Sequence, residues 1–207
     1  MKNLNRLITS ISQNLNLDET FIEKLQQSLS INTHDKKIIS HINQLINDAP
    51  DNLWEGFHSY LMGIDSFKKF FDHHSFIKNH TQAINDYFKR FASGKIDNDY
   101  LLNRFKIGIQ LEKYDVDPIL FSTTYGNLYS YLLEYIKNSI RDDSLVVPII
   151  KSYSKIVFLD LALILYAYFF MKDKKLLESK KELDHVTRSY RLIHEINDLI
   201  IRARFNN

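Results

Sequence analysis

The stretch Tyr100-Leu101-Leu102-Asn103-Arg104-Phe105-Lys106-Ile107-Gly108-Ile109-Gln110-Leu111-Glu112-Lys113-Tyr114-Asp115-Val116-Asp117-Pro118-Ile119-Leu120-Phe121 decides how the chain folds. Read from Asp97, it predicts a helix to about Lys113 and a corner at Asp115-Val116-Asp117-Pro118. Pro118 then opens a second helix, because its fixed φ suits a first helical position. That helix is expected to reach about Ile140, and a third to run from Leu145 into the 170s beyond the turn Arg141-Asp142-Asp143-Ser144. Working back toward the N-terminus, His74 to Phe91 reads as helical and ends at Ala92-Ser93-Gly94. Leu53, Trp54, Phe57, Tyr60 and Leu61 mark a helix between the break Ala49-Pro50-Asp51 and the corner at Gly63 and Asp65. Thr33-His34-Asp35 opens a helix with Ile38, Ile42, Leu45 and Ile46 inside. Asp18-Glu19-Thr20 opens another, with Phe21, Leu25 and Leu29 on one face and acids in its first turn. Leu4, Leu7, Ile8 and Ile11 form the first. Apolar residues recur three and four apart almost throughout, so the fold class is all-α.

Composition narrows the function. The 207 residues are 44% hydrophobic and 25% charged, the balance of a soluble globular protein. The formal net charge of +2 gives no general basic field for nucleic acid. With no cysteine, disulfides, thiolate catalysis, Cys-ligated zinc and iron–sulfur clusters are excluded, and a reducing compartment fits. Five Gly and three Pro leave little material for a phosphate loop. Fourteen Phe and twelve Tyr imply a core filled by large rings or an apolar pocket. The most hydrophobic run, Ile156 to Met171, is interrupted by Asp160 and is shorter than the roughly 20 residues a bilayer needs, so it reads as a core helix. The N-terminus is amphipathic and carries no apolar signal core. A cytoplasmic protein with no membrane contact is expected.

The tail differs in kind. Leu176, Leu183 and Tyr190 fall on one heptad position, with Asn197 next in the series, and Val186, Ile193 and Ile200 fall on the other. A heptad seam with one buried Asn is how a two-stranded coiled coil fixes its register. A helix packed back on its own domain would show a similar spacing over so short a stretch. The expected organisation is N-terminal helices over residues 1–32, a compact domain over 33–175 and a coiled-coil linker over 176–207.

The Tyr100–Phe121 stretch resembles the proximal-helix signature of bacterial globin-coupled sensors. In that pattern Tyr and Arg precede Ile-Gly, then the haem-ligating His, then Ile-Gly-Leu, Pro and two aromatics; Arg104, Ile107, Gly108, Val116, Pro118 and Phe121 fall in register. Phe57-His58-Ser59-Tyr60-Leu61 is similar to the family's distal Phe-Tyr-x-x-Leu. Asp160-Leu161-Ala162 with Tyr168 is similar to its Asp-x-Ala and Tyr on the last globin helix. Ile77-Lys78, Ser93-Gly94 and Asp99-Tyr100 follow its spacing. The resemblance implies a globin-like domain with a long C-terminal signalling helix. Ser189 to Ala203 is also similar to the helix leading into GAF domains of diguanylate cyclases, through Ile196-Asn197 and Arg202-Ala203. That implies a covalently attached GAF/GGDEF-like output domain.

The departures from the pattern are chemical. Leu111 stands where the family has its haem-ligating His, His58 replaces the distal Tyr, and Tyr114-Asp115 replaces an Ile-Gly. Leu has no lone pair, while haem iron is held by imidazole, thiolate, thioether or phenolate. A domain with no cofactor is therefore the first expectation, and haem held by His58, His80 or Tyr114 is the alternative. The resemblance places Phe57, His58, Leu61, Phe105, Gly108, Leu111, Tyr114 and Phe121 around the ligand pocket. Phe57, Phe76, Phe88, Phe105, Leu111, Tyr114 and Phe121 are bulky enough to fill much of a porphyrin's space. What remains is expected to be a narrowed apolar channel near Leu111 and His58, sized for a fatty-acid-like chain with its carboxylate toward His58.

Other candidates carry less. His73, His74 and His80 lack the spacing of a zinc site and suit a solvated corner. Asp97-Asn98-Asp99 and Asp142-Asp143 suit helix caps and turns. No Ser-His-Asp order or paired carboxylate on one face stands out, so no enzymatic activity is expected of this chain. The sequence reads as a sensory and dimerisation module. Tyr125, Leu128, Tyr129 and Leu132 on one long helix, and Val157, Leu161, Leu165 and Tyr168 on the next, are the expected homodimer interface, and Leu183, Val186, Tyr190, Ile193, Asn197 and Ile200 the linker seam.

Overall fold

The computed structural model describes residues 2–14, 19–72, 86–91 and 93–205. Every regular element among them is helical: α1 (Lys2–Asn14), α2 (Glu19–Ser28), α3 (Thr33–Asn47), α4 (Asp51–Met62), α5 (Asp65–Asp72), α6 (86–91), α7 (Asn98–Lys113), α8 (Pro118–Ser139), a single 3₁₀ turn (Asp143–Leu145) and α9 (Val146–Phe205). His73, His74, Phe76, Ile77, Lys78, His80 and Ala92 lie outside the described residues.

Local chemistry sets the helix ends. The Asn32 side chain accepts from the His34 and Asp35 amides while the Asp35 carboxylate accepts from the Asn32 amide, a reciprocal cap that opens α3. Asp97 accepts from the Tyr100 amide at the start of α7. Asp117 accepts from the Ile119 and Leu120 amides, and Pro118 follows as the first residue of α8. Between α7 and α8, Asp115 takes a left-handed φ of 54° while the Val116 amide bonds back to the Leu111 carbonyl. Asp is one of the few side chains that tolerates this conformation, so the corner closes without the glycine of the sensor pattern.

The chain divides into two compact units, residues 1–169 and 170–207. In the first, α1 packs on α7 and α3 on α8. Its core is built from Ile38, Ile39, Ile42 and Ile46 of α3, Leu101, Phe105 and Ile109 of α7, Leu132 and Ile136 of α8, and Tyr153, Ile156 and Ile164 of α9. The tightest contact is at Gly108, where a Cβ would lie 2.1 Å from the Ile164 carbonyl oxygen and 2.8 Å from the Ala167 Cβ. Only glycine lets the α7 and α9 backbones approach so closely. Gly108 is thus a helix-crossing residue and does not line a pocket. α9 is long and apolar enough by composition to cross a membrane, and half of its most apolar window is buried in the protein. Ile156, Val157, Leu159, Leu163, Ile164, Ala167 and Tyr168 supply that buried part, as a core helix requires.

The second unit, taken by itself, is the C-terminal part of α9. Leu176, Leu183, Val186, Tyr190, Ile193 and Asn197 are all exposed, and so are Leu177, Leu192 and Ile196. The side chain of Ile200 lies outside the described residues.

Candidate functional site

Six helices of the first unit line a partly open cavity of about 180 Å³. Phe57 and Leu61 come from α4, Phe67 and Phe71 from α5, Tyr87 and Phe88 from α6, Ile107 and Leu111 from α7, Phe121, Thr124, Tyr125 and Leu128 from α8, and Ile164 from α9. The rings are locked to one another. Phe57 meets Phe88 edge-on at 6.3 Å, Tyr87 meets Phe88 edge-on at 4.9 Å, and Phe121 packs against Phe67 and Tyr125 at 6.5 and 5.7 Å. Edge-to-face geometry of this kind is worth more than the area it buries.

Behind one wall lies a charged cluster. Asp160 of α9, wholly buried, accepts hydrogen bonds from Tyr100 and the Nε of Arg104 on one carboxylate oxygen, and from Tyr87 and Tyr125 (2.6 Å) on the other. The Arg104 guanidinium is also buried and stacks over the rings of Tyr87 and Tyr100, with its carbon 4.3 and 4.4 Å from their centroids. Burial, and then the Asp160 charge, push the phenols of Tyr87, Tyr100 and Tyr125 well above their usual range, so all three remain protonated donors. Burial alone would lower Arg104, but Asp160 outweighs it and holds the guanidinium charged. The cluster thus puts four donors on one buried carboxylate, the kind of hydrogen bonding a buried pair needs, while two of the Arg104 nitrogens have no hydrogen-bond partner among the described residues.

Of the residues expected at the pocket, Phe57, Leu61, Leu111 and Phe121 line the cavity. The other four do not. His58 is half-buried and its ring lies edge-on to Phe71 at 5.9 Å, one step around α4 from the inward-facing Phe57 and Leu61. Phe105 is wholly buried on another face of α7, against Tyr166. Gly108 faces α9, and Tyr114 caps α7 with the Lys113 ammonium 5.1 Å from its ring centroid. Among the expected fillers, Phe88 also lines the cavity, and Phe76 lies outside the described residues. Phe67, Phe71, Tyr87 and Thr124 were not read as pocket residues. A signal was present in the Arg104 and Asp160 motif positions, since a buried arginine demands a carboxylate and the phenols around that pair back onto the cavity.

The expected dimer interface is placed differently. Tyr125 and Leu128 line the cavity, and Leu132, Val157 and Tyr168 are buried inside the single chain, so none of the five presents an outer surface. Tyr129 is half-buried, stacks on Tyr153 and shares a hydrogen bond with Ser154. Leu161 and Leu165 are half-exposed. The outward apolar face of α9 consists of Val147 and Ile150 and then, two turns further on, Phe158, Leu161, Leu165 and Phe169 at spacings of three and four.

Residues 18–174, three quarters of the chain, match the family described as Protoglobin. The chain belongs to the protoglobin family. Among solved structures it is similar to the globin domain of the Geobacter sulfurreducens globin-coupled sensor, at 18% identity and a TM-score of 0.63, with 70% of this chain and 96% of that chain covered. The likeness establishes a globin-like fold. No curated protein matches significantly.

Membership of the protoglobin family implies haem, and the donor set around this cavity does not fit one. Leu111, not an imidazole, stands on the α7 wall, and among the described residues no His or Met lines the cavity. The sequence has no Cys. The two phenols at the wall, Tyr87 and Tyr125, are committed to Asp160. Tyr114 sits at the corner, His58 packs on Phe71, and His80 lies outside the described residues. Among the described residues no group of three or more His, Asp or Glu side chains could hold a metal ion.

Proposed function

We propose that this chain is the haemless input domain of a signalling protein. It is a non-enzymatic sensory and dimerisation module that takes an apolar ligand in the Leu111 cavity. The observation that carries the reading is Leu111 itself, a side chain without a lone pair at the position of the family's iron ligand, in a wall made of rings and aliphatic groups. An apolar guest is favoured there because it takes its own apolar surface and that of the walls out of water.

The long helix supports the signalling half of the reading. The heptad series of the linker runs back along α9. Phe158 and Leu165 share a register with Val186 and Ile193, with Lys172 and Ser179 at the two positions between; Ala162 and Phe169 share one with Leu176, Leu183 and Tyr190. Phe158, Phe169, Leu176, Leu183, Val186, Tyr190 and Ile193 are exposed. The exposed apolar residues of the first unit's part of α9 and, separately, those of the linker each call for a partner helix, and a second copy of the chain supplies identical ones about a twofold axis. The linker then hands a change of register or rotation to a C-terminal output domain of the GAF/GGDEF type. Ligand and output are coupled only if the ligand binds two arrangements unequally. The absence of cysteine suits a cytoplasmic setting.

The test is to join the chain through its own α9 to a diguanylate cyclase domain and measure the cyclase rate. Filling the cavity with Leu111→Trp is expected to change the rate several-fold in a folded, dimeric fusion. Equal rates for wild type and variant contradict the reading.

A further inference from the structure

We infer that the Leu111 cavity is selective for a small, uncharged, ring-sized apolar molecule without a polar head, and rejects long-chain carboxylic acids. The inference rests on the reading of this cavity as the input site, and it is carried by size and wall chemistry. The cavity measures about 180 Å³. A dry protein cavity of about 150 Å³ lined by Leu, Ile and Phe takes benzene or xenon. One ring with a methyl or two fits such a space, whereas a long acyl chain exceeds it.

The walls set the polarity. A bound carboxylate needs hydrogen-bond donors, and burying one without them is among the costliest events in a protein interior. Of the three hydroxyls on the wall, those of Tyr87 and Tyr125 donate to Asp160, which leaves the single neutral hydroxyl of Thr124, too little to hold a buried carboxylate. Burial and the Asp160 charge hold those phenols protonated and committed. Arg104 is not among the residues lining this cavity: its Nε is engaged with Asp160 and its guanidinium carbon lies over the rings of Tyr87 and Tyr100, while its two terminal nitrogens are buried away from the cavity without a hydrogen-bond partner among the described residues. His58, the group expected to receive a carboxylate, faces Phe71 instead. What the cavity does offer is aromatic edges and faces, from Phe57, Phe88 and Phe121 among others, the surroundings an aromatic guest prefers.

The same contacts give the guest a route to α9. It rests against Tyr87 and Tyr125, whose hydroxyls hold Asp160 in the middle of that helix's buried run. Occupancy therefore bears directly on the one carboxylate that ties α6, α7 and α8 to α9.

The experiment is a thermal melt of the full chain with toluene and, separately, with decanoate, alongside intermolecular NOEs from toluene to the protein. Toluene is expected to raise the melting temperature by several degrees at saturation and to show NOEs to Leu111 and Phe57. Decanoate at equal concentration is expected to leave the melt unchanged. Leu128→Trp, which fills the cavity, is expected to abolish the toluene shift; if that variant does not fold, the NOEs on wild type locate the site instead. Stabilisation by decanoate without any by toluene overturns the selectivity while leaving an apolar input site intact. Silence toward both ligands overturns the selectivity and the input site together. Toluene NOEs confined to other residues overturn the inference as well.

Discussion

Gly108 shows how a single missing side chain fixes the position of two helices. It was expected at the pocket because the sensor pattern sets Ile-Gly three residues before the haem ligand, but its contact is with the α9 backbone. Gly108→Ala is expected to cost about 3 kcal/mol through overpacking against main-chain atoms that cannot give way. Thermal melting should fall by roughly 6–12 °C for a chain of this size, and a melt within roughly 2 °C of wild type contradicts the contact. Asp35 makes a second residue-scale case. Burial raises its carboxyl pKa, but hydrogen bonds from Lys155, the Asn32 amide and Ser152 prevail and hold it below the ordinary carboxylate value. A pKa lowered on folding contributes stability in full above the unfolded value of about 3.9 and loses it as the pH falls through the folded value. Asp35→Asn should therefore be less stable than wild type at pH 7, by about 2 kcal/mol, with the gap closing below about pH 4. A gap that stays constant or widens in acid contradicts the assignment. These partners were invisible in the sequence, because Ser152 and Lys155 are remote from Asp35 and only the packing of α3 near α9 brings them within reach.

At the scale of elements the sequence was most legible. Caps at Asp97 and Asp117, the proline at the start of α8 and the three-and-four spacing are local signals, and α3, α4, α7 and α8 begin and end close to where these signals place them; α5 (Asp65–Asp72) lies where only a corner was read, and α9 runs unbroken to Phe205 instead of ending in the 170s. The facing of the long helices was less legible. α8 and α9 are apolar on more than one side, so spacing alone does not say whether Tyr125, Leu128 and Leu132 look inward or outward; they look inward. The outward stripe on α9 is instead Val147, Ile150, Phe158, Leu161, Leu165 and Phe169. If that face pairs with a second copy, light scattering of the wild-type chain gives twice the chain mass of 24.6 kDa. Phe158→Lys with Phe169→Lys should reduce it to a single mass, without loss of helical signal, because both side chains lie outside the core. A wild-type mass of one chain, or an unchanged mass in the double variant, contradicts the pairing.

At the scale of the whole molecule, the globin-like fold rests on the Arg104–Asp160 pair, the Gly108 crossing and the α7–α8 corner, and it sets Leu111 on the cavity wall. That Leu111 offers no lone pair was legible from sequence alone, because the identity of one residue settles it. The cavity's size was not, since it depends on how the rings from α4, α5, α6 and α8 close around that residue. The central claim is that this pocket works without an iron-ligated porphyrin. The most direct measurement is the visible absorption spectrum of the chain purified from haem-supplied cells, with total haem quantified against protein. The account predicts no Soret band and haem far below one per chain. A Soret band with stoichiometric haem would contradict it.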